Sequence, residues 1–490
     1  MSEFYTSLEH FALLPALMLA LFGCAVLLFD FLLFPDPRQR KWLLIFVALG
    51  IGFAGVGLAR QQIFLAAEGL NEFIAFRGAL TIDGFAIFFN WIFLAASLIV
   101  ALVSYRYLEI EGEHHGEYYG LILLANCGMY FLAAGSDLIT LFVGLELMAV
   151  CFYIMVGFLR FDKRSNEAAI KYLLLGAFSS GFLVYGFSIM YGLAGSTRLG
   201  DITAALAARS AWDPLVFLAL ATTAVGLLFK VSAVPFHMWA PDAYEGAPTP
   251  VTAYLSVASK AASFAFLVRL FLGPLISARE VWMPLLATVA IATLTVGNLA
   301  AVTQSNIKRL LAYSSISHAG YILLGLVAGN PTGIKGVAVY LLVYTFMNLG
   351  AFLVVVALRR EHILGEDVED LSGLMQKSPV HALLMLVFLL SLAGIPPTAG
   401  FLAKYYIFWA LIQARQYVLA VIAAAYVAVA IYYYFRVVRS MFISEAGDRE
   451  PLASSFGLRV ALGVTGVLTL AIGVYPEPWL AFAQNSLSLR

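Results

Sequence analysis

The sequence is poor in charged residues, and this lack excludes an ordinary soluble domain. Only 12% of its 490 residues are charged and 62% are hydrophobic, whereas about a quarter of the residues in a soluble domain are charged. The apolar residues extend along the whole chain instead of forming one anchor on a polar body. The formal net charge is zero, which argues against a nucleic-acid partner. The composition therefore predicts an all-α integral membrane protein.

Cysteine is equally scarce, and this removes several kinds of cofactor chemistry. Cys24, Cys127 and Cys151 each lie in an apolar run, so they form neither a disulfide framework nor a metal motif. The chain has no CxxC cluster for an iron–sulfur centre and no glycine-rich nucleotide fingerprint after a strand. Only one histidine, His318, is clearly placed at membrane depth, so a haem held by two histidines is not expected. We expect no metal or redox cofactor in this chain.

The apolar runs predict about 14 transmembrane helices, because one span needs about 20 mostly apolar residues. The first run follows a polar start without a small-residue cleavage site, so we expect it to be retained as a helix. The approximate cores are 11–33, 42–60, 83–105, 117–135, 137–159, 167–194, 214–236, 249–272, 281–302, 309–329, 335–358, 379–412, 416–443 and 457–477.

The loop charges predict the orientation of these helices. About 15 lysines and arginines, including Arg360 and Arg449, fall in one set of alternate loops, against seven in the other set. The richer set should be cytoplasmic by the positive-inside rule. Both termini are therefore predicted on the periplasmic side.

Two segments contain residues that interrupt a helix. One surrounds Pro235, and the other contains Gly394, Pro396 and Pro397. Proline removes a backbone donor and clashes with the preceding turn, and the run 379–412 would measure about 50 Å as one helix. Broken helices at membrane depth line cavities and form ion sites in transporters. A simple proline kink in a packed helix is the alternative.

The two breaks fall in predicted helices 7 and 12, which are five helices apart. This spacing predicts two inverted five-helix repeats, helices 4–8 and helices 9–13, an arrangement common in transporters. We therefore divide the single membrane domain 1–490 into N-terminal helices 1–3 (1–110), a first half-channel repeat (117–272), a second half-channel repeat (281–443) and a C-terminal helix (457–490).

Five ionisable residues lie within predicted helices at membrane depth, namely Glu146, Lys230, Lys260, His318 and Lys404. Placing a charge there costs about 2.5–3.5 kcal/mol on insertion scales, so each is a functional hypothesis. Burial disfavours the charged form of an amine, so a lysine held in the membrane can release and recover a proton near neutral pH. The alternatives are lysines that snorkel or neutralise a carboxylate, and a histidine with a structural hydrogen bond.

Other ionisable residues lie nearer the predicted helix ends. Arg269 is expected to anchor its helix at the interface, and His114 is expected to be solvated in a charged loop. Asp242 and Glu245 lie beside the turn between helices 7 and 8. They could guide protons at an entrance or simply form a solvated turn.

Three segments resemble one family, the subunit N (subunit 2) proteins of bacterial NADH:quinone oxidoreductase, or respiratory complex I. They are VPFHMWAPDAYEGAPTPVTAYLSVASKAA (234–262), SNIKRLLAYSSISHAGY (305–321) and LLSLAGIPPTAGFLAKYYIF (389–408). The resemblance covers essentially the whole chain. The sequences YEGAPTP and SSISH distinguish this family from the larger subunits L and M and from multisubunit sodium/proton antiporters.

The resemblance implies that the chain translocates protons while electrons pass from NADH to quinone in another arm of the complex. FMN, iron–sulfur clusters and quinone would then belong to partner subunits. The implied partners are a neighbouring antiporter-like subunit, the small membrane subunits next to the quinone site and the lipid bilayer. The implied location is the bacterial inner membrane.

The resemblance also implies roles for the buried charges. Glu146 and Lys230 would form the charged pair of the first half-channel, and Lys260 would continue inward along the central axis. His318 would lie on that axis, and Lys404 would occupy the broken helix of the second half-channel near the outward exit. A subunit of a sodium/proton antiporter is the alternative reading. A passive scaffold is a third, but charges at membrane depth argue against it.

Overall fold

Apolar helices dominate a computed structural model of the chain, which describes residues 7–33, 37–113, 115–359, 365–445, 452 and 454–486. Within these residues, eleven helices are long and apolar enough to cross a membrane. His114, Arg360 and Arg449, which entered the sequence-based expectations, lie outside the described residues. The protein is therefore an all-α multi-pass membrane protein.

The helices of the described residues carry the labels α1 to α20 in chain order. They are α1 (Ser7–Leu32), α2 (Leu43–Glu68), α3 (Gly84–Glu111), α4 (Gly116–Ala134), α5 (Leu138–Val156), α6 (Lys163–Ala194), α7 (Leu199–Ala207), α8 (Pro214–Lys230), α9 (Trp239–Gly246), α10 (Thr249–Tyr254), α11 (Lys260–Leu272), α12 (Arg279–Val302), α13 (Ile307–Ala328), α14 (Pro331–Leu358), α15 (Leu374–Lys377), α16 (Pro379–Ala393), α17 (Ala399–Gln413), α18 (Tyr417–Ile443), α19 (Phe456–Val474) and α20 (Glu477–Ser486).

Side-chain caps fix where many of these helices begin. The carboxylates of Asp137 and Asp213 accept hydrogen bonds from backbone N–H groups at the starts of α5 and α8. The Asn306 and Asn330 amides do the same for α13 and α14. Such caps satisfy backbone donors that have no partner inside the helix, which explains why the helices begin close to the predicted positions.

Two predicted helices are interrupted. The predicted run 214–236 is helical only to Lys230, where α8 ends, and it resumes as α9 at Trp239. The predicted run 379–412 is divided into α16 and α17. With 17, 15 and 15 residues, α8, α16 and α17 are each shorter than a full span.

A β-hairpin connects α2 and α3 and was not predicted. Strand β1 (Glu72–Ala75) pairs antiparallel with β2 (Leu80–Asp83), with Phe73 opposite Ile82. The Asp83 carboxylate then caps α3 by accepting from the Ala86 amide at 2.7 Å. The hairpin therefore sets where the third long helix begins.

Two loop pairs repeat one backbone pattern. Asp137 pairs with Arg198 and Asn306 pairs with Asp367, both antiparallel and both 61 residues apart in sequence. In the first pair, the Leu138 amide donates to Thr197 at 2.9 Å. In the second, the Ile307 amide donates to Glu366 at 2.7 Å. The two loop pairs therefore have the same backbone hydrogen bonding.

The centre of the bundle consists of three helical segments, α13, α14 and the continuous helix Thr249–Leu272, which comprises α10, a π-helical turn (Leu255–Ser259) and α11. These segments are almost wholly buried, whereas only about a third of α1 and a fifth of α18 is buried. A helix that is apolar on all sides belongs in the interior of a bundle, and α14 has no polar face. Lys260 and His318 lie in this centre, and Lys404 on α17 packs against Tyr321 of α13.

Arg269, in the last turn of α11, forms a buried ion pair that was not predicted. Its guanidinium pairs with Asp83 at 2.8 Å, and only 8% of its side chain is exposed. It also donates to the Ala133 carbonyl at 2.5 Å. The partner carboxylate lies 186 residues away in sequence, so position near a helix end did not predict this buried ion pair.

Candidate functional site

Lys230 is the last residue of α8 and is buried, with 5% of its surface exposed. Its ammonium lies 3.4 Å from the hydroxyl of Tyr153. Tyr153 follows Glu146 by seven residues on α5, and two helical turns place both on the same side. Glu146 accepts a 2.5 Å hydrogen bond from Ser180. Glu146 and Lys230, both described, form no direct ion pair, and Tyr153 lies next to the lysine instead.

The break after Lys230 keeps its backbone groups paired. Ser232 adopts a left-handed conformation with φ 60°, and the amide of Val234 donates to the Thr293 hydroxyl at 3.0 Å. Pro235 lies in the turn that follows, before α9. The Trp239 indole donates to the Phe229 carbonyl at 2.9 Å. Side chains therefore satisfy groups that a continuous helix would have paired.

Lys260 lies directly after the π-helical turn Leu255–Ser259 and is 2% exposed. Its ammonium donates to the carbonyl oxygen of Ser315 at 2.9 Å and contacts the Ser315 hydroxyl at 2.5 Å. Both partners are neutral, and Lys260 has no carboxylate partner among the described residues. Single π-helical turns occur frequently at functional sites, and this one presents a buried ammonium to α13.

His318 lies on α13, one turn after Ser315, and is 2% exposed. Its two ring nitrogens contact two tyrosine hydroxyls, Nδ1 that of Tyr340 at 2.7 Å and Nε2 that of Tyr434 at 3.3 Å. The Tyr434 hydroxyl also contacts the hydroxyl of Ser314. These bonds leave both expectations for His318 open, because hydroxyl groups can relay a proton and can also hold the ring.

Lys404 lies on α17, after the second break, and is 3% exposed. Its ammonium donates to the carbonyl oxygens of Leu392 and Ala393 at 3.0 and 2.8 Å, which belong to the last turn of α16. The last carbonyls of a helix lack internal partners and carry partial negative charge. The broken helix therefore supplies the site that holds this ammonium.

The residues of the second break create this geometry. Gly394 ends α16 with φ 85°, a conformation that glycine adopts without strain. Pro396 and Pro397 follow in the turn before α17 begins at Ala399. The Ser391 hydroxyl accepts from the Gly400 amide at 3.0 Å, across the break.

Aromatic side chains connect His318 with Lys404. The ring of Tyr321 lies 5.0 Å from the Lys404 ammonium and stacks on Tyr340 at 6.4 Å. Tyr340 is the residue that contacts His318 Nδ1. Lys260 therefore binds Ser315, one turn before His318 on α13, and contacts continue from His318 through Tyr340 and Tyr321 to Lys404. This row places Lys260, His318 and Lys404 in one buried region.

The tyrosines and serines of this row were not singled out from the sequence. Tyr153, Tyr340, Tyr434 and Ser315 each touch a buried ionisable group. The only sequence signal was a hydroxyl three or four residues from a buried charge on the same helix, as Ser315 is from His318. The chain has 24 tyrosines, so this signal alone could not select them.

Asp242 and Glu245 lie in an ionic network at one end of the bundle rather than in a freely solvated turn. Arg309 contacts Asp242 at 2.9 Å and Glu245 at 2.7 Å, and Lys171 contacts Asp242 at 3.0 Å. Burial raises the pKa of the Asp242 carboxyl, but hydrogen bonds from Lys171 and Arg309 outweigh it and lower that pKa below its usual range. The Asp242 carboxylate on α9 therefore stays ionised.

Within the described residues, no group of three or more histidine, cysteine, aspartate or glutamate side chains is arranged to hold a metal ion. The amines, hydroxyl groups and imidazole gathered at the site can bind and transfer protons. Buried ammonium groups beside broken helices, joined by hydroxyl groups and one histidine, define an antiporter-like membrane protein.

Comparison with known proteins defines this class further. Residues 135–431 match the family described as the transmembrane region of NADH:quinone oxidoreductase and Mrp antiporters. A protein of Solibacter usitatus named NADH-quinone oxidoreductase subunit N 2 is 74% identical over 487 residues, or 99% of each chain. Another, subunit N 1 of Koribacter versatilis, is 52% identical over 98% of this chain and 96% of its own length. The chain belongs to the NADH-quinone oxidoreductase subunit N family, as its sequence motifs indicated.

Solved structures agree with this assignment. A chain of respiratory complex I from Thermus thermophilus with bound aureothin has a TM-score of 0.80 and 33% identity, covering 96% of this chain and 99% of that one. A chain of the Mrp complex from a Dietzia species has a TM-score of 0.82 at 21% identity, covering 98% of this chain and 97% of its own. The second likeness shows that the two kinds of complex share this fold.

Proposed function

We propose that this chain carries protons across the bacterial inner membrane as an antiporter-like subunit of an NADH:quinone oxidoreductase. The observation that carries the proposal is the row of buried groups at Lys260, His318 and Lys404, in a chain of the subunit N family. An ammonium group without a carboxylate partner is costly inside a membrane protein. Lys260 and Lys404, which have no carboxylate partner among the described residues, are explained if each takes up and releases a proton during turnover.

Each buried group has a role in this proposal. Glu146 and Lys230 form the charged pair of the first half-channel, with Tyr153 beside the lysine at 3.4 Å. Lys260 receives the proton on the central axis, and His318 relays it toward the second half. Lys404, held by the carbonyls of the broken helix, is the last group before the outward exit.

The repeated backbone pattern supports two five-helix repeats within a single membrane domain of 14 spans. The Asp137–Arg198 and Asn306–Asp367 pairs occupy corresponding positions if predicted helices 4–8 and 9–13 are repeats. An inverted repeat places these two pairs on opposite sides of the membrane. With the arginine-rich loops cytoplasmic, both termini lie on the periplasmic side.

In the proposed complex, this chain carries no redox group of its own. FMN, iron–sulfur clusters and quinone are held by partner subunits. In the membrane it contacts a neighbouring antiporter-like subunit and the small membrane subunits next to the quinone site. Electron transfer elsewhere then drives the proton steps here by conformational or electrostatic coupling.

The test is proton pumping by the assembled complex in proteoliposomes, driven by NADH and a quinone. Lys260→Ala and Glu146→Ala should each lower proton uptake and coupled quinone reduction while the complex still assembles. Lys163→Ala is the matched control, because Lys163 is exposed. Wild-type pumping by both site variants would refute the proposal.

A sodium/proton antiporter subunit is the second candidate, because the matched family also covers Mrp antiporters. The same proteoliposomes distinguish the two functions. Proton movement that requires NADH and is indifferent to sodium supports the first. Proton movement driven by a sodium gradient without NADH supports the second.

A further inference from the structure

Lys308 is a buried lysine outside the proposed proton path, and all three of its ammonium protons have an acceptor. It lies in the first turn of α13 with 1% of its side chain exposed. Its ammonium donates to the carbonyl oxygens of Glu245 at 2.7 Å and Ala247 at 2.8 Å, and to the carboxylate of Glu366 at 2.8 Å. An ammonium group has three donors, so this set satisfies it completely.

These three acceptors join parts of the chain that belong to different halves. Glu245 and Ala247 form the C-terminal end of α9, directly before the helix Thr249–Leu272. Lys308 and Glu366 belong to the second half, at the start of α13 and in the loop that leads toward the second broken helix. The last carbonyls of α9 have no helical partner, so a positive charge is favoured there.

The same face of α13 also contacts the helix Thr249–Leu272 itself. Ser315 follows Lys308 by seven residues, so two helical turns bring both to the same side. Lys308 holds Ala247, two residues before that helix begins, and Ser315 contacts the ammonium of Lys260 at 2.5 Å. Two contacts along one face fix how far one helix can slide or rotate against the other.

We propose that Lys308 is a positioning residue that fixes α13 against the helix Thr249–Leu272 and thereby keeps Ser315 on the ammonium of Lys260. This inference rests on the proposed proton pathway. Lys308 itself does not carry the transported proton, because its three donors are occupied by the α9 end and Glu366. It transmits movement of the α9 turn to the Lys260 site.

The test uses the assembled complex in proteoliposomes. Lys308→Gln retains donors for the two carbonyls but loses the third contact and the charge. The double variant K308M/E366Q removes both charges, so that no unpaired carboxylate is left buried. Both variants should assemble and pump about tenfold fewer protons per NADH, because small misplacements of catalytic groups cost that much or more. The pH profile of pumping should also be displaced in both.

Arg309→Gln is the matched control for lost charge. Arg309 follows Lys308 in the sequence and also contacts α9. It binds the partly exposed carboxylates of Asp242 and Glu245, whereas Lys308 binds backbone carbonyls. The Arg309 variant should keep the wild-type pH profile. Hydrogen exchange of the backbone amides of Ala247, Thr249 and residues 251–253 should be faster in the two Lys308 variants than in the Arg309 variant.

Lys260→Ala in the same preparation separates this inference from the proposed function. If Lys260→Ala is impaired while both Lys308 variants pump with the wild-type rate and pH profile, only the positioning role is overturned. If Lys260→Ala pumps normally, the proposed pathway is refuted, and the positioning role that rests on it is refuted as well. If Arg309→Gln moves the pH profile as far as the Lys308 variants do, loss of surface charge explains the effect and the inference is overturned.

Discussion

The ammonium of Lys404 lies 2.8 Å from the carbonyl oxygen of Ala393, the last residue of α16. Lys404 is on the following helix, so the break between α16 and α17 lets one half of a divided helix bind the end of the other. The first half of the chain uses a related device, because Lys230 is itself the last residue of α8. In both halves, a lysine stands at the negative end of an interrupted helix, where the helix dipole favours a cation.

Replacing Lys404 with methionine should abolish most proton pumping and weaken the break. The carbonyls of Leu392 and Ala393 lose a charged donor, which costs about 1–3 kcal/mol. Pumping in proteoliposomes and the thermal unfolding of the complex measure the two effects. Lys335→Met is the control, since the Lys335 ammonium contacts the exposed Gln484 side chain and the Tyr406 ring and binds no carbonyl of the break. Normal pumping by the Lys404 variant would show that the carbonyl site is structural.

Gly394→Ala should destabilise the same break without removing any charge. Gly394 has φ 85°, and an added Cβ would lie 2.8 Å from Cδ of Lys404. The left-handed conformation alone costs a residue with a side chain about 1–2 kcal/mol. Thermal stability and coupled quinone reduction should both fall. Gly463→Ala on α19, where no atom lies within 4 Å of the new Cβ, should be neutral or slightly stabilising.

Removing one partner of the Arg269–Asp83 pair should destabilise the fold near the hairpin. Their side chains are 8% and 12% exposed, and breaking a buried pair costs about 3–5 kcal/mol. Thermal unfolding of Asp83→Asn measures this cost. The pair Arg106–Glu109 is about half exposed, so Arg106→Met should change stability by no more than about 1 kcal/mol. Equal effects in the two variants would contradict the assignment of a buried ion pair.

The charge of Glu366 should make stability depend on pH in the acid range. Burial opposes its ionisation, but the charges and hydrogen bonds of Lys308 and Arg164 outweigh burial and lower the pKa of this carboxyl below its usual value of 4.5. A carboxyl group whose pKa is lower in the folded than in the unfolded protein stabilises the fold at pH values above its unfolded-state pKa. This stabilisation is lost as the pH falls through its folded-state pKa. The stability difference between wild type and Glu366→Gln should therefore shrink as the pH falls below about 4.5. A constant difference across that range would refute this.

His318→Gln should decide whether the histidine relays protons or only organises its neighbours. Glutamine can still bond the hydroxyls of Tyr340 and Tyr434, but it cannot exchange a proton near neutral pH. A relay role predicts at least about 100-fold slower proton transfer, the usual contribution of a positioned acid or base. A structural role predicts nearly normal pumping. Stopped-flow measurement of proton uptake distinguishes the two, with thermal unfolding as the check on assembly.

Most of the helical architecture could be predicted because the membrane restricts the choices. A backbone in lipid must satisfy its own hydrogen bonds, so long apolar runs become helices. The proline and glycine segments indicated where helices are interrupted, as at Gly394. The hairpin was missed because strands of four residues give too little alternation between apolar and polar side chains to recognise.

The partners of the buried charges were less predictable. The sequence placed Glu146 in predicted helix 5 and Lys230 in predicted helix 7, but only the structure shows Tyr153 next to the lysine. The sequence also predicted that Arg269 anchors its helix at the interface, because no local feature indicates a contact with Asp83, 186 residues away. Such contacts depend on how helices rotate and pack.

The sequence by itself determined that this is a membrane protein of the subunit N family, where its helices run and which charges lie deep within them. Tertiary structure decided what each charge touches: the helix-end carbonyls at Lys404, the serine at Lys260 and the two tyrosines at His318. The physical reason is that helices in lipid are apolar on every side, so their hydrophobic pattern does not specify which faces meet. Close packing and a few interhelical hydrogen bonds decide that.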